Sequence, residues 1–329
     1  MPRHQNGKIV LKNLRPKAAV AVLAATALVS IPPASADPGA SASKIADQIE
    51  NVTLEPVAPL QPTPIGNSYV GDSTLTPVTV EVPSNPNQPI SLADANSGNS
   101  ISIGLPEEVA SSSGELAPSG SVVFAASEDE GTDVSATIVE DGSVKIHTVL
   151  PDENAPTEYT YPMSLPDGAS MQLAPDGGVL IKGSKGEYIA SVATPWAKDA
   201  KGRALETHYS VQGDSIIQTI STDSRTEYPV VADPWLGINL IKRVVRTHDG
   251  TGNRYMVHPT AYGRVAPEIA RFAAWNEAKS KGVPDRSTLK NQFFCHYDLR
   301  PAILFKGSWN LEAWRADKGY TRFILARCN

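Results

Sequence analysis

Between residues 116 and 235 the chain is interrupted at short intervals by turn signals, and this punctuation constrains the fold more than any other feature. Asp141-Gly142, Asp167-Gly168, Asp176-Gly177-Gly178, Lys201-Gly202 and Gly213-Asp214 separate short apolar runs. Such runs between such turns make strands, and an Asp-Gly dipeptide supplies the backbone that a tight hairpin needs. The stretch TIVEDGSVKIHTVL is the clearest case, with the turn on Asp141-Gly142 and alternation on Val144, Ile146 and Thr148. The expectation for 116–235 is an all-β module, either a sandwich or a meandering sheet. His147 and His208 fall inside strand runs and read as solvated or pairing residues, not as catalytic ones.

The start of the chain has a different character. Arg3, Lys8, Lys12, Arg15 and Lys17 precede the apolar run AAVAVLAATALVSI, and PPASA follows it. A basic lead, a short apolar stretch and an A-x-A site are the order of a secretory signal peptide, with cleavage expected after Ala36. The apolar run is shorter than the roughly 20 residues a membrane-spanning helix needs. The mature chain is therefore expected to be soluble and secreted. Residues 37–115 are rich in Pro, Ser and Asn, as in PVAPLQPTP and PSNPNQP. That composition buries too little apolar surface to offset chain entropy, so a disordered, low-complexity linker is expected. Two short elements are predicted within it, a helix over Ser43–Leu54 carrying Ile45, Ile49 and Val52, and a strand over Val78–Val82.

Charge divides the chain sharply. Residues 37–235 hold 8 Lys/Arg against 28 Asp/Glu, whereas residues 236–329 hold 16 against 7. An acidic middle joined to a basic end points to a polyanionic partner, meaning an anionic envelope polymer, a membrane surface or nucleic acid, or to internal masking of the basic end by region 37–235. The boundary is TEYPVVADPW, Thr226 to Trp235, where Pro229 and Pro234 disfavour helix. This stretch is similar to a junction that recurs in exported actinobacterial proteins, where a β-rich region precedes varied C-terminal domains. The resemblance implies a delivery or presentation module.

Residues 236–329 read as a basic α+β domain. INLIKRVVRTHDGTGNRYMVHPT predicts two strands joined at Asp249-Gly250-Thr251-Gly252. APEIARFAAWNEAKSKG predicts a helix from Pro267 to Lys281, with Glu268 in its first turn and Gly282 as its stop. A second helix is expected over Ser287–Tyr297, and strands at Ile303–Phe305 and Thr321–Ala326. Cys295 and Cys328 are an even pair in an exported chain, which predicts one disulfide joining the second helix to the last strand. No C-x-x-C and no second Cys–His pair stands at ligand spacing, so no metal site is expected.

This region resembles the domain-of-unknown-function family numbered 2599 of exported bacterial proteins. The residues that carry the likeness are Pro259-Thr260, Gly263-Arg264, Trp275, Gln292-Phe293 with Cys295-His296, Trp309-Asn310-Leu311-Glu312, Trp314-Arg315 and Cys328-Asn329. Ala316 stands where the family pattern has proline. The resemblance implies export and a disulfide, and it brings no chemistry with it.

The densest cluster of unusual residues is FKGSWNLEAWR, Phe305 to Arg315. As a strand it places Trp309, Leu311 and Ala313 on one face and Asn310, Glu312 and Trp314 on the other. One reading makes the tryptophans core and Glu312–Arg315 a structural ion pair. The functional reading takes His296, Glu312 and Arg315 as catalytic candidates, with Arg264, Trp309 and Trp314 as binding candidates and His258 and Asp298 nearby. Histidine and carboxylate serve as acid and base, and arginines hold phosphate or developing negative charge. The chain has no nucleophile elbow, phosphate loop or H-E-x-x-H motif, and no cofactor is expected. Three functions fit: an antibacterial effector or bacteriocin-like toxin acting on a polyanionic target, a non-catalytic cell-envelope or extracellular binding module, and a secreted nuclease-like hydrolase using His296 and Glu312.

Overall fold

The computed structural model describes residues 38–53, 58–127, 131–300 and 306–328. The signal peptide expected over 1–36 and the strand expected at 303–305 lie outside them. Helix α1 (Pro38–Thr53) opens the described chain. Five strands follow, β1 (Thr63–Ile65), β2 (Ser68–Asp72), β3 (Val78–Pro83), β4 (Ile90–Asp94) and β5 (Ser100–Ile103). Next come β6 (Glu115–Leu116), β7 (Ser121–Phe124), β8 (Asp133–Ile138), β9 (Val144–Leu150), β10 (Glu158–Ser164) and β11 (Ser170–Leu173). They are followed by β12 (Val179–Lys182), β13 (Tyr188–Val192), β14 (Ala197–Lys198), β15 (Ala204–Leu205), β16 (Thr207–Gln212) and β17 (Ser215–Ile220). Finally β18 (Val230–Ala232) and β19 (Trp235–Gly237) complete the β-rich part.

These strands form two antiparallel sheets with a shared core. One runs β1-β2-β3-β4-β5-β10-β17-β16. The other runs β11-β12-β13-β19-β9-β18-β14-β15, with β6, β7 and β8 continuing from β9. Inward residues of both sheets, among them Val80, Leu92, Ile103, Val134, Ile146, Tyr159, Tyr161 and Val192, make one buried cluster. This is the sandwich form of the expected all-β module, and the Asp141-Gly142 hairpin stands as predicted, with Ile138 paired to Val144.

Within residues 37–115 the expected helix and strand are present as α1 and β3, but the disordered linker expected around them is not, because β1, β2, β4 and β5 are also there. Apolar residues are few there, but they alternate: β3 reads buried-exposed-buried, and Val80, Val82, Leu92 and Ile103 are each fully buried. They pack across the sandwich onto partners far along the chain, so the entropy argument from local composition misses the compensating burial. Asn67, Asn85, Asn87 and Asn96 sit in the turns between these strands. Helix α1 lays Ile45, Ile49 and Val52 on Val123, Val149 and Val231 of the second sheet.

The Thr226–Trp235 boundary is also structured. β18 and β19 run end to end along β9, and where they break, Pro234 O accepts from Ile146 N at 2.8 Å. Residues Val230 to Leu236 are part of the sheet and are buried throughout the two strands.

The C-terminal region adds β20 (Ile241–Asp249), β21 (Gly252–Pro259), α2 (Arg271–Ser280), α3 (Ser287–Asp298), β22 (Trp309–Glu312) and α4 (Tyr320–Leu325). Its sheet order is β20-β21-β22. A single-turn 3₁₀ helix, Glu268–Ala270, precedes α2, and its Glu268 N–H donates to Asp176 Oδ2 at 2.6 Å. The strand expected at Thr321–Ala326 is instead α4. Gly319, at φ 75°, starts it after a turn in which Gly319 N donates to Asp317 Oδ1, and Phe323 turns inward onto the cysteine pair. The run is too short for its apolar spacing to distinguish period 2 from period 3.6.

This region shares its core with the preceding sandwich. Leu180, Ala193 and Trp235 pack in one cluster with Tyr262, Trp275, Phe293, Tyr297 and Trp309. Tyr262 is the main tie. Its N–H donates to Asp141 Oδ2 at 2.8 Å, its hydroxyl meets Ser191 Oγ at 2.8 Å, and its ring lies so close to Gly237 that any Cβ there would stand 2.3 Å from it. By its contacts, residues 37–329 form one unit. No helix among the described residues is long and apolar enough to cross a membrane.

The disulfide is present. Cys295 and Cys328, both buried, are bonded with Cα atoms 5.5 Å apart across a sequence separation of 33. It joins α3 to the residues after α4, not to a strand. Closing a loop of that size stabilises by roughly 3–4 kcal/mol through the unfolded chain. Reduction is expected to lower the melting temperature by about 5–10 °C, read by calorimetry with and without reductant; a shift within error would show that the helices hold the loop without it.

Candidate functional site

Within FKGSWNLEAWR, β22 covers Trp309–Glu312, and its register with β21 pairs Trp309 with Val257, Asn310 with Met256, Leu311 with Tyr255 and Glu312 with Arg254. Trp309 and Leu311 are fully buried. The Trp309 ring meets Phe293 and Tyr297 edge to face at 5.5 and 6.0 Å. Asn310 and Glu312 fall on the other face and are half-buried. The strand therefore divides as the alternation predicts, and Trp309 is a core residue.

The outer edge of β22 is covered by α3. Gln292 receives Glu312 N–H on its Oε1 at 2.8 Å and donates from Nε2 to Glu312 O at 3.1 Å, while His296 Nε2 donates to Asn310 O at 3.3 Å. Two strand residues rise about 6.7 Å and one four-residue helical step about 6 Å, so residues 292 and 296 match 312 and 310. Helix side chains thus satisfy a strand edge that would otherwise be bare. His296 is 1 % exposed, and its Nδ1 has no hydrogen-bond partner among the described residues. Burial, then the charge of Lys306, lowers its pKa to about 4, so the ring is neutral at pH 7.

Glu312 does not meet His296 in a hydrogen bond. Its carboxylate is held by Arg254 Nη2 at 3.3 Å and, more closely, by Arg315 Nε. Arg254 also lies over the Trp314 ring at 5.4 Å, and Trp314, half-buried, packs against Gly252 at the β20–β21 turn. Arg254, Glu312, Arg315 and Trp314 thus form one cluster at the end of the sheet. Asp298 turns elsewhere, accepting from Arg271 Nη1 at 2.7 Å and Tyr320 Oη at 2.5 Å, and does not orient His296.

Arg264 and His258 belong to a second group. Burial lowers the His258 pKa, and the charges of Arg243, Lys242 and Arg264 push it the same way. Burial also lowers the Arg264 pKa. Lys242 and Arg243 lie on β20, an edge strand whose Arg243, Val245, Arg246, Thr247 and His248 are exposed. The predicted binding residues are therefore split, Arg264 with this cationic group, Trp314 with the Glu312 cluster, and Trp309 in the core.

Two further groups stand out. Glu277, on α2, accepts from Leu240 N at 2.8 Å and has Lys281 Nζ 3.6 Å from its other oxygen. Burial raises its pKa to about 7. In sequence, Glu277 and Lys281 look like an ordinary exposed i, i+4 pair, and only tertiary burial changes them. His147, on β9, is 4 % exposed, has no hydrogen-bond partner at either ring nitrogen among the described residues, and lies 5.9 Å from the Trp196 ring. Burial, with Lys145, lowers its pKa to about 3. No group of three or more His, Cys, Asp or Glu side chains among the described residues is placed to hold a metal ion.

No curated protein and no solved structure matches the chain. Residues 241–329 match the family model described as protein of unknown function DUF2599, so the C-terminal region, from β20 through the disulfide, is similar to that family.

Proposed function

We propose that the C-terminal region is a cationic, non-catalytic binding module for an anionic polymer, taken up along β20 and β21 by Lys242, Arg243, Arg246, Arg264 and His258. The observation that carries this reading is the convergence of Arg243, Lys242 and Arg264 on His258 beside an exposed edge strand. Clustered cations attract polyanions over a Debye length and release counterions on contact. The engagement of His296 by a backbone carbonyl, and of Glu312 by two arginines, favours binding over the hydrolase reading. An antibacterial effector needs such a binding step first, so that reading extends this one.

The test uses the full chain, with fluorescently labelled single-stranded DNA and poly(glycerol phosphate) as probes. Affinity is expected to fall steeply with salt. Replacing Lys242, Arg243 and Arg246 together by Ser is expected to reduce the log–log salt slope by about 2, at roughly 0.7 per phosphate contact on a single strand. Equal affinity in the triple variant, or binding indifferent to salt, would remove the proposal.

A further inference from the structure

A cleft of about 640 Å³ lies between the Asp94–Asn99 turn, β12, β13 and α2. Small-molecule clefts span about 300–1,000 Å³. Asn96, Asn99, Asn239 and Asn276 line it, and each amide both donates and accepts. Phe272 also lines it, 52 % exposed although it is one of the largest apolar side chains, and is braced edge-on by Phe294 at 5.0 Å. The remaining charged groups of the lining are Asp94, Lys182, Glu187, Glu277 and Lys281. Both signs are represented, which suits neither a simple anion nor a cation.

Glu277 is the unusual member. One carboxyl oxygen is fixed by Leu240 N–H at 2.8 Å, while Oε1 is buried and, among the described residues, lacks a hydrogen bond of ordinary length. The Lys281 ammonium stands 3.6 Å from it, and the Ile241 N–H also favours the ionised carboxylate. Burial brings its proton equilibrium to about pH 7, so both an O–H and a carboxylate are available there near neutrality. A buried oxygen without a partner is costly unless a ligand or water supplies one. The need is for a ligand whose hydroxyls donate and accept along one side and whose other side is apolar enough to lie on an exposed ring.

We propose that this cleft binds a neutral saccharide, with Glu277 and the asparagine amides taking its hydroxyls and Phe272 lying against a ring face. The site is distinct from the cationic surface along β20 and β21, and its ligand carries no charge, so the two are separable by salt. Saturation-transfer NMR on the full, disulfide-bonded chain at high salt is the test, with chitotriose, cellotriose and maltotriose as probes at millimolar concentration. At least one sugar is expected to receive saturation from the protein. Phe272→Ala, at an exposed position that leaves the core intact, is expected to weaken it about tenfold. Glu277→Leu, which removes the polar oxygens, is expected to weaken it by at least as much, whereas Glu277→Gln, which keeps an acceptor for Leu240 N–H, is expected to hold affinity within about threefold. The Lys242, Arg243 and Arg246 triple variant is expected to bind the sugar normally. No transfer to any of the three sugars, or undiminished binding in both Phe272→Ala and Glu277→Leu, overturns the proposal.

Discussion

Acidifying the chain from pH 6.5 to 4.5 is expected to cost about 2 kcal/mol of stability, and the loss is expected to double, to about 4 kcal/mol, in Glu277→Gln. His147 and His296 set the direction, and His258, whose pKa is also lowered, adds in the same sense. His147 and His296 have folded pKa values of about 3 and about 4, both below the ordinary 6.5. Below pH 6.5 the unfolded chain takes up protons that the folded chain refuses, so each histidine withdraws about 1.4 kcal/mol per pH unit until its folded value is reached. Glu277 works the other way. Its pKa is raised from 4.5 to about 7, so the folded chain holds a proton that the unfolded chain has released, and stability falls as pH rises across that window. On acidification Glu277 therefore returns about 1.4 kcal/mol per unit, offsetting one of the two histidines.

Urea unfolding at a series of pH values measures these slopes directly. Wild type should lose about 1 kcal/mol per unit, Glu277→Gln about twice that, and His296→Gln almost nothing. The glutamine at 296 is neutral at every pH and keeps a donor for Asn310 O. A flat wild-type profile with an equally flat Glu277→Gln profile would mean that these groups titrate as they do in water, and the burial assigned to them would be incorrect.

What the sequence made legible was local. The Asp-Gly hairpin, the β20–β21 pair and the strand alternation at Trp309 and Leu311 all follow from neighbours within a few residues. The disulfide spans 33 residues and was legible for another reason, that the chain has two cysteines to pair. What escaped was set by residues far apart. The strands β4 and β5 look like linker because their few leucines and isoleucines are completed by the opposite sheet. Thr226–Trp235 looks like a boundary because prolines stiffen it, yet β18 and β19 lie along β9 and are buried. Asp141, the turn residue most plainly visible in sequence, also anchors Tyr262, 121 residues later. The candidate site behaved the same way. Residue types suited to acid–base chemistry were present, but Asn310 O, Arg254 and Arg315 take up His296 and Glu312, and no spacing rule shows that a helix side chain will satisfy a strand edge.

The two tryptophans of the motif should separate cleanly when each is truncated. Trp309→Ala is expected to destabilise the chain by about 4–5 kcal/mol, in the upper part of the range for large buried aromatics. The ring is fully buried, contacts Phe293 and Tyr297 edge to face, and sits in a core bounded by α3 on one side and β21 on the other. Those elements are pinned by the disulfide and by Gln292, so the cavity cannot close by a small shift, and the surrounding contacts are lost outright. Trp314→Ala is expected to cost about 1 kcal/mol or less, since it removes a half-exposed ring and one cation–π contact with Arg254. Guanidinium-induced unfolding of the full chain, followed by far-ultraviolet circular dichroism, gives both values. Similar losses for the two variants would place Trp314 in the core with Trp309. A small loss for Trp314 accompanied by weaker polymer binding would extend the cationic surface of β20 and β21 to the Arg254–Trp314 end of the sheet.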